Sequence, residues 1–229
     1  MERYTYLLVD FFTVVVCFAF SFHPKIRFNQ KFLPFIKGSF LVGATFIVWD
    51  AWFTNVGVWW FNDRYLLGVR FFGLPIEEIL FFICIPFSCM FTYFCIDKFL
   101  RPVVGKKTEN AIAGAFILLC LVIGLSNLDK LYTSVTFLSA AVVFAVLKYV
   151  LKVDWIGKVF LVYTILLIPF FIVNGILTGT GLEEAVVNYN PQEFLNIRIL
   201  TVPIEDAFYG LELTALNLYF FKLFDRKQA

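Results

Sequence analysis

Apolar runs of about 18 residues or more recur along this 229-residue chain, each long enough to cross a ~30 Å hydrocarbon core as a helix. No other feature restricts the fold so strongly. In lipid every backbone N–H and C=O must be satisfied within the protein, which leaves helices and closed barrels. Barrel strands alternate apolar and polar residues, and runs such as YTYLLVDFFTVVVCFAFSF at 4–22 do not. The chain is 61% hydrophobic and 16% charged, against roughly half and a quarter for a soluble domain. The expected fold is all-α, a polytopic membrane bundle of about seven helices. Spans are read near 4–22, 33–53, 77–96, 110–126, 131–151, 155–175 and 203–222. The first run lacks a basic start and a small-residue cleavage site, so it reads as a retained helix.

Basic residues set the topology. Lys25, Arg27, Lys31 and Lys37 flank the first connection; Lys98, Arg101, Lys106 and Lys107 the third; Lys148, Lys152 and Lys158 the fifth; Lys222, Arg226 and Lys227 follow the last span. These are 14 of 19 basic residues; the other five are Arg3, Arg64, Arg70, Lys130 and Arg198. Seven spans then alternate without conflict if the N-terminus is outside and the C-terminus cytoplasmic. A shift of 128 residues lays 131–151 on the first span and 203–222 on the third. The sixth span, 155–175, falls a few residues from the second. Two parallel three-helix repeats follow, 1–98 and 130–229, joined by a linking helix within 99–129.

The repeat is sharpest in two boxes, RFFGLPIEE at 70–78 and RILTVPIED at 198–206. Pro75 and Pro203 suit the first turn of a helix, where a missing N–H costs nothing. Glu77, Glu78, Glu205 and Asp206 then sit where the helix dipole favours an anion. Adjacent helical residues point about 100° apart, so one acid of each pair can face the bundle while the other caps or pairs with Arg70 or Arg198. Capping alone accounts for a single box less well when two share one spacing. Asp50, in FIVWDAWF, falls at the same end, as does Asn174, its nearest counterpart in the second repeat, about four positions out of register. Asp10 and Glu212 lie deeper. An ionisable side chain in hydrocarbon is costly and is a functional hypothesis by default. Carboxyls crowded in low dielectric cannot all ionise, and a neutral acid beside a carboxylate makes an acid/base pair.

Several functions find no support. GTGLEE at 179–184 lacks a βαβ context for a dinucleotide. No HExxH, GxSxG or P-loop occurs, and the five Cys form no CxxC or Cys/His cluster. Metal ligation is therefore not expected, and the basic loops read as topology signals rather than nucleic-acid patches. Most of the 31 Phe read as packing. Trp49, Trp52, Trp59 and Trp60 fit an interfacial belt, with a minority of rings available to stabilise a transient cation. The long connections 54–76 and 174–202 contain GVWWF and NPQEFL, amphipathic enough to lie on the membrane, and read as outer lids or half-buried segments over the acids.

WDAW at 49–52, LPIEEILFF at 74–82, NGILTG at 174–179 and VPIEDAFY at 202–209 resemble the small integral-membrane lycopene cyclases, in a fused form carrying both repeats. The resemblance implies a cofactor-free isomerase of carotenoid ends. A terminal alkene of lycopene, taken from the bilayer, is protonated; the cation closes a ring; a proton leaves to give the β-ring. Carried onto this chain, acid and base are among Glu77, Glu78, Glu205 and Asp206, with Glu77 and Glu205 preferred because both repeats keep Glu at that position. Asp50 completes the catalytic group. Asn174, Arg70, Arg198 and Trp49 support it, the two Arg as counter-ions. A carotenoid end-group hydratase and a small seven-helix transporter are the competing readings. The transporter would need a polar mid-depth cavity, where this chain has Phe, Leu, Ile and Val. Oligomeric state is left open.

Overall fold

A computed structural model of the chain describes residues 2–226; Lys227, counted above in the last basic flank, lies outside them. Seven long helices form the body: α1 (Thr5–Ser21), α2 (Phe32–Asn55), α3 (Ile76–Phe99), α4 (Lys106–Ser126), α5 (Leu131–Ala145, continued by one π turn, Val146–Val150), α6 (Ile156–Leu177) and α7 (Ile204–Arg226). Six are long and apolar enough to span a membrane. The exception, α7, is equally long but carries Glu205, Asp206 and Glu212. It packs against α2, α3, α5 and α6, and ten of its residues are buried. A helix so enclosed by other helices presents little of itself to lipid and tolerates polar residues. Outward faces elsewhere are apolar: Phe40 is 74% exposed and Val48 71%. Such broad exposed apolar faces mark a membrane-embedded surface.

Between α2 and α3 run β1 (Trp59–Phe61), β2 (Arg70–Phe71) and β3 (Leu74–Pro75); between α6 and α7 run β4 (Val187–Tyr189), β5 (Arg198–Ile199) and β6 (Val202–Pro203). The expected lids are thus compact short-strand structures over one end of the bundle. GVWWF contributes a strand rather than an amphipathic segment lying flat. The 128-residue offset holds here bond for bond. Ile76 N–H donates to Val69 C=O, and Ile204 N–H to Ile197 C=O. Arg70 donates to Gly73 C=O, and Arg198 to Thr201 C=O. Phe72 (φ 54°) and Leu200 (φ 58°) both sit at the left-handed hairpin position, where a non-Gly residue is uncommon.

Strands β1 and β4 are repeat equivalents, and they pair with each other, antiparallel, Trp60 opposite Asn188. The flanking bonds are reciprocal: Asn62 N–H to Val186 C=O, Asn190 N–H to Val58 C=O. Equivalent strands meeting this way require a local two-fold axis between them. Two repeats running in the same direction, related by such an axis along the bundle, account for both facts. At the opposite end a buried ion pair, Lys148 Nζ to Glu109 Oε1 at 2.5 Å, fastens the end of α5 to α4. Glu109 also accepts the Gly157 N–H at 3.1 Å, which ties in the start of α6.

Candidate active site

Each box is a hairpin that turns directly into a helix. Pro75 lies one residue ahead of α3, with φ −65° and extended ψ; it enters the helix from the strand instead of occupying the first turn. Glu77 and Glu78, like Glu205 and Asp206, follow in the first turn. The two acids of each pair then part. Glu77 and Glu205 are fully buried. Glu77 Oε1 accepts the Leu67 N–H at 2.6 Å, and Glu205 Oε1 accepts the Leu195 N–H at 2.8 Å, the same bond at the same offset. Thr133 Oγ1 adds a further donor to Glu205 at 2.7 Å. These carboxyls fasten the lid loops to the helix starts. Neither lines the main cavity.

Glu78 and Asp206 do. A cavity of about 610 Å³ lies between α1, α3, α6 and α7 beneath the lids, and Glu78, Asp206 and Asp50 all face it. The Tyr6 hydroxyl donates to Glu78 Oε2 at 2.5 Å. Asp206 receives two phenols, Tyr132 on Oδ1 at 2.5 Å and Tyr189 on Oδ2 at 2.8 Å. Burial and the adjacent Asp206 carboxyl push the Tyr189 phenol well above its ordinary range, so it stays a donor. Asp50 is 3% exposed and its Oδ2 has no partner among the described residues; the buried Tyr209 hydroxyl likewise has none. Most of the remaining wall is apolar, with Val9, Phe81, Ile85, Leu166 and Phe170. Glu78 to Thr92, both on the wall, spans about 21 Å of helix rise. Its outer margin includes Phe12 (67% exposed) and Ile172 (61%), so the cavity opens sideways between α1 and α6.

The structure places Glu77 and Glu205, the expected acid/base pair, outside this cavity. A carboxyl locked onto a loop N–H outside the cavity is not presented to a substrate there. The two Arg residues, expected as counter-ions, make their closest bonds elsewhere. Arg70 binds Asp63 at 2.6 Å and the Gly73 C=O at 3.0 Å. Arg198 binds Thr201 C=O and lies over the Tyr189 ring at 5.6 Å. Neither guanidinium forms an ion pair with a box acid, because each reaches back to its own hairpin. Trp49 packs on Phe46 and Tyr209, 5.6 and 5.2 Å between centroids, behind the cavity wall. Asn174 reaches the wall, with its Nδ2 returned to Phe170 C=O at 3.1 Å. Sequence reasoning missed Tyr6, Tyr132, Tyr189 and Tyr209. The available signal was a phenol inside or beside an apolar span, because a buried Tyr hydroxyl needs a partner. Among the described residues no group of three or more His, Cys, Asp or Glu side chains is arranged to hold a metal ion.

The profile of the lycopene cyclase family matches residues 3–96 and 129–224, one stretch on each repeat. The chain belongs to the lycopene cyclase family. Within it, the chain is 23% identical over 108 residues to a bifunctional lycopene cyclase/phytoene synthase of the fungus Pyrenophora tritici-repentis. That match covers 43% of this chain and 18% of the fungal protein, so the chain corresponds to under a fifth of that relative's length. No solved structure matches the chain.

Proposed function

We propose that this protein closes β-rings on the linear ends of lycopene by acid/base catalysis. The observation that carries the reading is the meeting of Glu78 and Asp206, one from each repeat, on a single apolar cavity under tyrosine hydroxyls. One carboxyl, protonated, gives its proton to the terminal alkene. The tertiary cation is attacked by an internal double bond, a six-membered ring closes, and the other carboxylate removes the adjacent proton. No electrons are gained or lost, so the reaction is an isomerisation. Asp50 and the faces of Trp59, Phe81 and Tyr209, all on the wall, supply negative charge and π-density to the transient cation. The lids matter because water would trap that cation as an alcohol.

The substrate enters from the bilayer through the opening between α1 and α6. The cavity length suits one end group and part of the polyene. The excess of basic residues at the opposite end of the bundle supports a cytoplasmic C-terminus and an outward-facing site, in the cytoplasmic membrane if the host is bacterial. The test is expression in cells that accumulate lycopene, with pigments separated and identified. One- or two-ring β products are expected. An unchanged lycopene pool sinks the reading, ε-rings sink its ring type, and hydroxylated open ends would make the protein a hydratase.

A further inference from the structure

A second cavity, about 320 Å³, lies in the lid region of the second repeat, with Thr178, Asn188, Tyr189, Arg198 and Thr201 in its wall. Two polar elements border both cavities. Tyr189 lines each, and its hydroxyl is the one on Asp206 Oδ2. Thr178 also lines each; its hydroxyl meets that of Thr201 at 2.7 Å, which meets that of the exposed Thr180 at 2.6 Å. A hydroxyl chain therefore runs from the exposed Thr180 through Thr201 to Thr178 on the cavity wall, where Thr178 also donates to the Asn174 C=O at 2.8 Å. The first repeat lacks two of these hydroxyls. At the 128-residue offset Tyr189 corresponds to Phe61 and Thr201 to Gly73, neither with a side-chain hydroxyl. The Glu78 phenol comes instead from Tyr6 on α1, which does not line the second cavity.

We propose that Tyr189, with the Thr178–Thr201–Thr180 hydroxyls, is the path by which water resupplies Asp206 with a proton between turnovers. The inference rests on the cyclase reading above. In each turnover Asp206 gives a proton to the substrate and becomes a carboxylate, and Glu78 takes one and becomes a carboxylic acid. The atoms of the substrate are unchanged in number. The site resets either by passing the Glu78 proton back to Asp206 inside the dry cavity or by exchange with water. The second cavity provides the exchange on the Asp206 side.

The two resets write different labels into the product. The full chain is placed in phosphatidylcholine vesicles with lycopene, and the rings formed in D₂O are analysed by mass spectrometry. Wild type is expected to carry close to one deuterium per ring, since general acid catalysis moves the donor's proton into the product. Tyr189→Phe and Thr201→Val are expected to close rings still, with deuterium content falling below half of wild type as substrate protium recirculates. A purely packing role for either side chain would change the rate and leave the label alone. Wild-type label in both variants overturns the route, as does a wild type that incorporates little deuterium. Thr201→Val touches no box acid, so it carries the test if Tyr189→Phe fails to fold. A wild type that forms no ring at all removes the cyclase reading, and the route with it.

Discussion

The two repeats make the same bonds at their hairpins and differ in how tightly their helices close. Helix α2 packs closely along α7. Gly38 makes this fit: a Cβ there would lie 3.1 Å from the Phe221 backbone nitrogen and 3.2 Å from Phe220 Cβ. The equivalent interface, α6 with α3, borders the 610 Å³ cavity instead, with Pro169 on the wall. A proline there removes a helical hydrogen bond and keeps the turn irregular. The repeats thus supply two sets of acids, and the 610 Å³ cavity takes Glu78 from one and Asp206 from the other onto its wall. A symmetric frame with one interface closed and one open is how a two-fold chain makes an asymmetric cavity.

The largest expected effect separates one shared site from two independent ones. Glu78→Gln and Asp206→Asn should each lower ring formation by about 10²–10⁴-fold, the usual worth of a general acid or base, with normal membrane content. Two independent sites would leave either variant with about half its pigment yield. Next comes a feature of the second repeat alone. Lys148, whose counterpart is Phe20, when changed to Met strands Glu109 in a buried position. The loss should be about 3–5 kcal/mol, read as thermal unfolding in detergent, and Glu109→Gln added to it should recover part. The anchors rank below that. Glu205→Ala leaves the Leu195 N–H and the Thr133 hydroxyl without their acceptor, whereas Glu77→Ala leaves only the Leu67 N–H. Each unsatisfied group costs about 1–3 kcal/mol, so the Glu205 variant should melt lower; equal melting points would deny the extra bond any weight. The smallest effect is Gly38→Ala, where overpacking should cost about 1–3 kcal/mol at most and less if Phe220 gives way. A variant as stable as wild type would show that α2 and α7 are not held at their limit.

Much of this architecture was legible in residues 70–78 and 198–206. Long apolar runs gave the seven helices, and two boxes at one offset matched the two hairpins that lead into α3 and α7. What the sameness of the boxes does not show is how their acids part. Glu77 and Glu205, identical in type, do the identical job of holding a loop N–H. The positions that line the cavity are those that differ, Glu78 and Asp206, and they sit among different phenols. Repetition within a chain reports shared structure first. The Arg partners were illegible for another reason: a long side chain near a hairpin can satisfy itself on a carbonyl three residues away, and spacing along the chain does not reveal that. The three tyrosines that bind box acids came from α1, α5 and β4, over seventy positions from their acids in two cases, distances at which no local pattern speaks.

The pairing of β1 with β4 has a consequence for assembly. An edge strand that bonds antiparallel to its own repeat counterpart is the seam a homodimer of half-length chains would need, since an isologous contact uses one surface twice. The covalent link through α4 keeps both partners at fixed proportion and lets each drift from the other. Severing the chain within 99–105, ahead of α4, and producing both fragments together should therefore give pieces that find one another at this seam.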